Sequence, residues 1–365
     1  MKPRPASAPP SHPSRLEDPL KVRSDPSTIS VVLCTYNGGR FLREQLESLA
    51  AQTTLPSELV VGDDGSQDDT LDVVRQFARH SPFPVTIHEN RERLGYRRNF
   101  LATAQRASGD YIAFCDQDDV WHPDKLRMCL DALRAPSMAL VVHAYLIVDA
   151  DLREMPVQPP ATSLIQPPGY GEHPPVILGF TQVYHRSLIQ AFDLTDLPLD
   201  PLNTDRPMAH DQWVSFAADL VGCTRFLPDR LALYRQHGAN VYGAGTGSRP
   251  PGFVERLYRN ASQAELRVAG EIAARKAQMA EAARLGDLSA FPEAAGNLAE
   301  AIRYWRKLAD SYAARSHIRG GANLMVRARR WVQALRKGAY DDGLAATIKL
   351  GGKDLVSGVL FPKRP

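Results

Sequence analysis

From Ile29 onward the chain alternates short apolar, β-branched runs with segments whose apolar residues recur at helical spacing, and this alternation restricts the fold more than any other feature. Ile29-Ser-Val-Val-Leu-Cys34 is almost continuously apolar, as a strand covered on both faces requires. Phe41, Leu42, Leu46 and Leu49 then share one helical face, and Glu58-Leu-Val-Val-Gly62 reads as the next strand. The same spacing predicts helices over about 68–80, 96–107 and 122–133, with strands over about 84–88, 111–115 and 139–148. Strands joined through helices pair in parallel by right-handed crossovers. The expected fold is therefore α/β, a doubly wound, mostly parallel sheet with flanking helices and a ligand crevice at the strands' carboxyl ends.

Beyond Val148 the alternation weakens. Residues 156–175 are dense in Pro and Gly and read as a loop or flap, followed by a helix over about 208–221 and a strand over about 225–234. From Phe253 to about Lys337 the chain is rich in Ala and Arg and reads as long helices, broken near residues 286–292. The first 27 residues, rich in Pro and Ser, lack the apolar stretch of a secretory signal and are expected to be a disordered tail. The expected division is a tail over 1–27, a catalytic domain over 28–248 with halves of about 28–150 and 151–248, and a helical, basic, amphipathic region over 249–365.

Composition narrows the function classes. A net charge of +3 over 365 residues gives no general affinity for nucleic acid, and no nucleic-acid partner is expected. Cys34, Cys115, Cys129 and Cys223 lie far apart without CxxC spacing, so they read as reduced core thiols, in keeping with a cytoplasmic protein. No run approaches the roughly 18 to 20 apolar residues of a spanning helix, so membrane contact, if made, is peripheral.

The polar residues that end these strands carry the chemistry. Thr35-Tyr36-Asn37 follows the first strand, where side chains can meet a nucleotide, although Asn-Gly-Gly is also an ordinary turn. Asp63-Asp64-Gly65-Ser66 ends the second, placed either to cap the next helix or to bind a base edge or ribose hydroxyl. The absence of GxGxxG after the first strand argues against NAD. The sharpest signal is Asp116-Gln117-Asp118-Asp119 after Tyr111-Ile-Ala-Phe-Cys115. Like charges so close raise one another's pKa. A divalent cation relieves this, and Asp-x-Asp at a strand end can hold Mg²⁺ or Mn²⁺ while leaving positions for a diphosphate. A solvated acidic turn is the alternative.

Thr35-Tyr36-Asn37, Asp63-Asp64-Gly65-Ser66, Leu94-Gly95 with Asn99-Phe100, and Cys115-Asp116-Gln117-Asp118-Asp119-Val120-Trp121 resemble, in this order, the motifs of family 2 glycosyltransferases with the GT-A fold. The resemblance spans about Ser30 to Tyr242. It implies that Asp64 contacts the nucleoside and that Asp116 and Asp118 hold metal and diphosphate. The wider nucleotide-sugar site it implies comprises Thr35, Tyr36, Asn37, Asp64, Gly95, Arg98, Asn99, Asp116 and Gln117. Arg97 and Arg98 are placed to meet phosphate or simply to be solvated. His210-Asp211-Gln212-Trp213 resembles the segment supplying the general base, which assigns that role to Asp211 and leaves His210 open, since many relatives carry Glu there. Tyr234-Arg235-Gln236-His237-Gly238 resembles a signature of bacterial surface-polysaccharide enzymes, many of them rhamnosyltransferases; it implies that His237 completes the metal shell or meets the diphosphate and that Arg235 offsets its charge. Trp121 and Trp213 read as packing residues.

The implied activity is inverting transfer of a hexose or deoxyhexose from a dTDP- or UDP-sugar to a glycan or lipid-linked acceptor, with Mn²⁺ or Mg²⁺, in surface-polysaccharide synthesis. A nucleotidyltransferase is the competing enzyme class, disfavoured because Thr35-Tyr36-Asn37-Gly38-Gly39 lacks a basic Gly-rich loop. A non-catalytic nucleotide-sugar-binding protein at a membrane surface is the other. The late basic residues, among them Arg303, Arg306, Arg315, Arg319, Arg329, Arg330 and Lys337, accompany apolar Ile318, Leu324, Met325, Trp331 and Val332. Such a face suits an anionic lipid surface at the inner side of the cell membrane, or packing on the catalytic domain or a second subunit of a homodimer.

Overall fold

The computed structural model describes residues 27–169, 177–201, 203–238, 261–321, 323–336, 338–339, 351, 354–355 and 359. Nearly all of the expected N-terminal tail, the end of the Pro-rich loop and the start of the expected helix at Phe253 lie outside them.

The strands are β1 (Ile29–Thr35), β2 (Glu58–Asp63), β3 (Val85–Glu89), β4 (Tyr111–Cys115), β5 (Val120–Trp121), β6 (Met138–Val148), β7 (Leu164–Gln166), β8 (Gln182–His185), β9 (Leu199–Asp200), β10 (Asn203–Pro207) and β11 (Cys223–Arg235). The α-helices are α1 (Gly39–Ala50), α2 (Thr70–Ala78), α3 (Tyr96–Ala104), α4 (Lys125–Leu133), α5 (Ser187–Gln190), α6 (His210–Val221), α7 (Gln263–Glu281), α8 (Ala294–Arg319) and α9 (Leu324–Arg336).

All seven residues of β1 are buried, because the strand runs through the middle of the sheet with helices on both sides. Its side chains sort by parity. Val32 and Cys34, with Val60, Ile112 and Phe114 of neighbouring strands, join Phe100 of α3, Trp213 of α6, Ala277 of α7 and Trp305 of α8 in one core. Ile29, Val31 and Leu33, with Val61 and Ala113, join Leu42 and Leu46 of α1, Val74 of α2 and Leu130 of α4 in the other. Each buried Leu or Phe contributes about 1.5–3 kcal/mol of transfer free energy, so the two layers outweigh any single polar contact.

The main sheet runs β3-β2-β1-β4-β8-β6-β11-β5, with β7 also pairing with β11. Most paired residues are parallel, as expected, through β1 with β2 and β4, β2 with β3, and β6 with β11. Two departures matter. β8 lies antiparallel between β4 and β6, because the chain returns from β6 through the loop instead of a crossover helix. β7 rises from within the Pro-rich segment to pair antiparallel with Thr224, Arg225 and Phe226.

The C-terminal helices begin with a capping box: Ser262 Oγ accepts from Glu265 N at 3.2 Å, and Glu265 Oε2 accepts from Ser262 N at 2.7 Å. α7 and α8 pack on each other and on the catalytic sheet through Ala273, Leu298, Ala301 and Trp305. The basic residues are thus less uniformly exposed than expected: Arg315 and Arg319 are buried in ion pairs with Asp354, and Arg306 pairs with Glu281 at 2.8 Å. α9 does present Leu324, Met325 and Val332 to solvent. No helix among the described residues is long and apolar enough to cross a membrane.

Candidate active site

A cleft of about 850 Å³ opens at the carboxyl ends of β1, β2 and β4. β1 contributes Thr35 and Tyr36 to its wall, β2 leads to Asp64, and β4 leads to Asp116, Gln117 and Asp118. The N-terminus of α6 supplies His210 and Asp211 from the facing side.

The nucleoside end is a set of interlocked turns. Asp64 Oδ1 accepts from Leu94 N at 2.7 Å and Asn90 Nδ2 at 3.0 Å, while Oδ2 accepts from Gly95 N at 2.8 Å. Gly95 has φ +76, which a side chain would strain, so the loop reaches Asp64 only with glycine there. Asn99 donates from Nδ2 to Gly62 O at 2.7 Å and accepts from Asn90. Gln117 brackets the Tyr36 backbone, accepting from its N–H at 2.9 Å and donating to its carbonyl at 3.3 Å. The guanidinium of Arg93 lies 3.8 Å over the Tyr36 ring, a contact without a motif to mark it.

Two expected binding residues are not in the cleft wall. Asn37 takes φ 48 and ties the first strand-end turn to the second, accepting from Gln67 N at 2.8 Å and donating its own N–H to Ser66 Oγ at 2.9 Å. Arg98 is exposed and points off the cleft, because the helical phase of α3 turns Arg97 and Asn99 inward instead. Arg97 is buried in an ion pair with Asp200 at 2.9 Å and donates to Pro207 O at 2.7 Å.

The acidic loop shows the expected strain. Burial, then Asp118, then Asp211 push the Asp116 carboxyl up to about 7, so Asp116 senses the charge of Asp211 across the cleft. Buried Asp119 is held well above the usual carboxylate range, chiefly by burial. Beneath the loop lies Lys125, which sequence reasoning missed because nothing marks a helix-initial Lys as buried. Its Nζ donates to Phe180 O at 2.7 Å and sits 3.2 Å from the Trp121 ring centroid, and burial lowers its pKa to about 7.

The end of β11 completes this side. His237 Nε2 lies 2.8 Å from Asp118 Oδ2. Arg235 does not reach into the cleft as expected: it is buried, donating from Nε to Asp118 O and from Nη1 to Ala150 O, each at 2.8 Å, and pairing with Glu44. Its backbone N–H donates to Asp119 Oδ1 at 3.1 Å. Arg235 therefore anchors the acidic loop. Among the described residues no three His, Cys, Asp or Glu side chains form a ready-made cation cage. Two carboxylates with excess negative charge still fit a hard cation completed by substrate oxygens.

Asp211 accepts from Gln212 N at 2.7 Å, and burial raises it to about 6 against that hydrogen bond and the charge of Arg97. Gln212 accepts from Ala209 N at 2.8 Å and donates to Asp200 Oδ1 at 2.9 Å, joining the start of α6 to the Arg97–Asp200 pair.

A family profile described as glycosyl transferase family 2 matches residues 30–192, the segment holding β1 through β8 and the acidic loop. Residues 30–192 therefore carry that family's sequence pattern. The chain is 30% identical over 221 residues to an uncharacterized glycosyltransferase of Nostoc sp., covering 58% of this chain and 66% of that protein. It is 32% identical over 105 residues to the dTDP-rhamnosyl transferase RfbG of Shigella flexneri, covering 28% and 36%. In both, the match spans less than two thirds of the relative's own length. Among solved structures, TarS 1-349 of S. aureus in complex with UDP-GlcNAc aligns at TM-score 0.46 and 19% identity, over 86% of this chain and 93% of that one.

Proposed function

We propose that the chain transfers a sugar from a nucleoside diphosphate to a hydroxyl acceptor with inversion at the anomeric carbon. The observation that carries this reading is that Asp116, Asp118 and Asp211 face one cleft, with Asp116 and Asp211 each raised toward neutrality. Asp116 and Asp118 are the residues to hold Mn²⁺ or Mg²⁺, and His237 keeps the Asp118 carboxylate oriented. When bound, the cation neutralises charge on the diphosphate. Asp211, still largely ionised at neutral pH yet far more basic than an ordinary Asp, takes the proton of the acceptor hydroxyl as that oxygen attacks. Thr35, Tyr36 and the loop held by Asp64 receive the nucleoside. A positioned base within this set favours transfer over mere binding of a nucleotide sugar.

The finer assignment is a deoxyhexose such as rhamnose from a dTDP donor, delivered to a glycan or lipid-linked acceptor during surface-polysaccharide synthesis. Local similarity to the Shigella enzyme supports it. The exposed Leu324, Met325 and Val332 beside Arg329, Arg330 and Arg336 suit peripheral contact with an anionic membrane.

Screening dTDP-, UDP- and GDP-sugars by thermal shift with Mn²⁺ tests the reading. One or two donors are expected to stabilise the protein, and Asp211→Asn should keep that stabilisation while turnover falls about 10²- to 10⁴-fold. Unchanged turnover in Asp211→Asn removes the base assignment.

A further inference from the structure

Arg97, the second residue of α3, is buried, and its guanidinium grips both strands of the β9–β10 hairpin. Nη2 pairs with Asp200 Oδ2 at 2.9 Å, and Nη1 donates to Pro207 O at 2.7 Å. That hairpin leads straight into α6, which begins at His210, three residues after Pro207. The other oxygen of buried Asp200 accepts from Gln212 Nε2 at 2.9 Å, and Gln212 Oε1 accepts from Ala209 N at 2.8 Å. Asp211 lies between these two anchored residues, and its Oδ1 accepts from Gln212 N at 2.7 Å.

For stability alone, a buried ion pair gives up the hydration of two charges and commonly offers no more than apolar side chains of the same volume. Its place gives it another use, since Arg97, Asp200, Ala209, Asp211 and Gln212 all line the cleft. Asp200 is the second carboxylate beside the start of α6, yet each of its oxygens already accepts from a fixed donor, so it is committed to joining the hairpin to the helix. The hairpin needs that support: β9 is only two residues long, and two paired strands have little stability of their own. Burial raises Asp211 to about 6, and the cation of Arg97 works against that rise.

We infer that Arg97, Asp200 and Gln212 are positioning residues for Asp211, a bridge that fixes the start of α6 from the helix following the nucleoside loop. This rests on the reading of Asp211 as the base and names the side chains that hold it against the donor. Proton removal during attack needs reacting atoms about 3–3.5 Å apart, and a misplacement of about 1 Å costs on the order of 10²-fold. The nucleoside loop keeps separate support, because Leu94 N and Gly95 N are held by Asp64. Loosening the bridge therefore moves the base and leaves the donor's seat in place.

The experiment separates donor binding from turnover. Calorimetry of UDP-, dTDP- and GDP-sugars with Mn²⁺ and steady-state kinetics compare the parent with Gln212→Ala, Arg97→Lys and the double variant Arg97→Met with Asp200→Leu, which leaves neither charge buried alone. Gln212→Ala and the double variant should keep the parent's donor affinity but lose about 10- to 100-fold in kcat. Arg97→Lys, which retains a cation beside Asp200, should recover part of that loss. Added to Asp211→Asn, Gln212→Ala should cost nothing further, because the group it positions is gone. Parental kcat in Gln212→Ala, a matching loss of donor affinity, or an undiminished effect on top of Asp211→Asn overturns the inference while leaving the transferase reading intact. Unchanged turnover in Asp211→Asn alone overturns the base reading and the inference together. Gln212→Ala, which alters a side chain only partly buried, keeps the test decisive should the double variant fail to fold.

Discussion

At the residue scale, environment rather than identity separates the carboxylates of this chain. Asp63 accepts from Gly65 N, Ser66 N and Thr35 Oγ1 and serves the turn, whereas Asp211 accepts from Gln212 N and is raised to about 6. A base of that strength works only when ionised, so kcat is expected to fall about tenfold per pH unit below about 6 and to level off above it; a profile flat down to pH 5 would exclude Asp211 as the base. Asp116, raised to about 7, must lose its proton before it can hold a cation. The Tm increase produced by Mn²⁺ should therefore be larger at pH 8 than at pH 5.5, and a pH-independent increase would place the ion elsewhere. The acidic residues were legible from the sequence because a charged cluster directly after a buried strand has few explanations. The placement of Arg97 and Arg98 was not, since which of two adjacent side chains faces the cleft depends on helical phase, and neither was the burial of His210, which packs against Gly179, distant in sequence.

The elements divide in the same way. β1 to β4 and their helices could be read because β1, β2 and β4 are built on apolar runs, β3 alternates apolar Val85 and Ile87 with polar residues, and each helix has one apolar face. β8 could not: Gln182-Val-Tyr-His185 is four residues with polar ends, and only pairing on both sides makes it a strand. β11 has a role beyond the sheet. Its last residue, Arg235, is 1% exposed and ties α1, the acidic loop and the end of β6 together through Glu44, Asp118, Asp119 and Ala150. Truncating it removes a buried cation from its partners, so Arg235→Ala is expected to destabilise the protein by about 3–5 kcal/mol by chemical denaturation and to lose activity with it. A variant with parental stability would show that the acidic loop stands without this anchor.

For the whole molecule, α7 and α8 share a core with the sheet that carries the cleft. Trp305 of α8 is 5% exposed and meets Phe216 of α6, six residues after His210, so the helix bearing Asp211 is braced from behind. Among the described residues α9 leaves an apolar and basic face outward, and flotation with anionic vesicles should recover the protein with lipid, less so at high salt; recovery in the soluble fraction throughout would leave that face to another partner. The central claim is that Asp116 and Asp118 share a divalent cation with the diphosphate of an activated sugar. Calorimetric titration of dTDP- and UDP-sugars, with MnCl₂ and then with EDTA, tests it most directly. Saturable binding of a donor that disappears in EDTA and in Asp118→Asn is the predicted result, and donor binding of equal strength with and without the metal would contradict it.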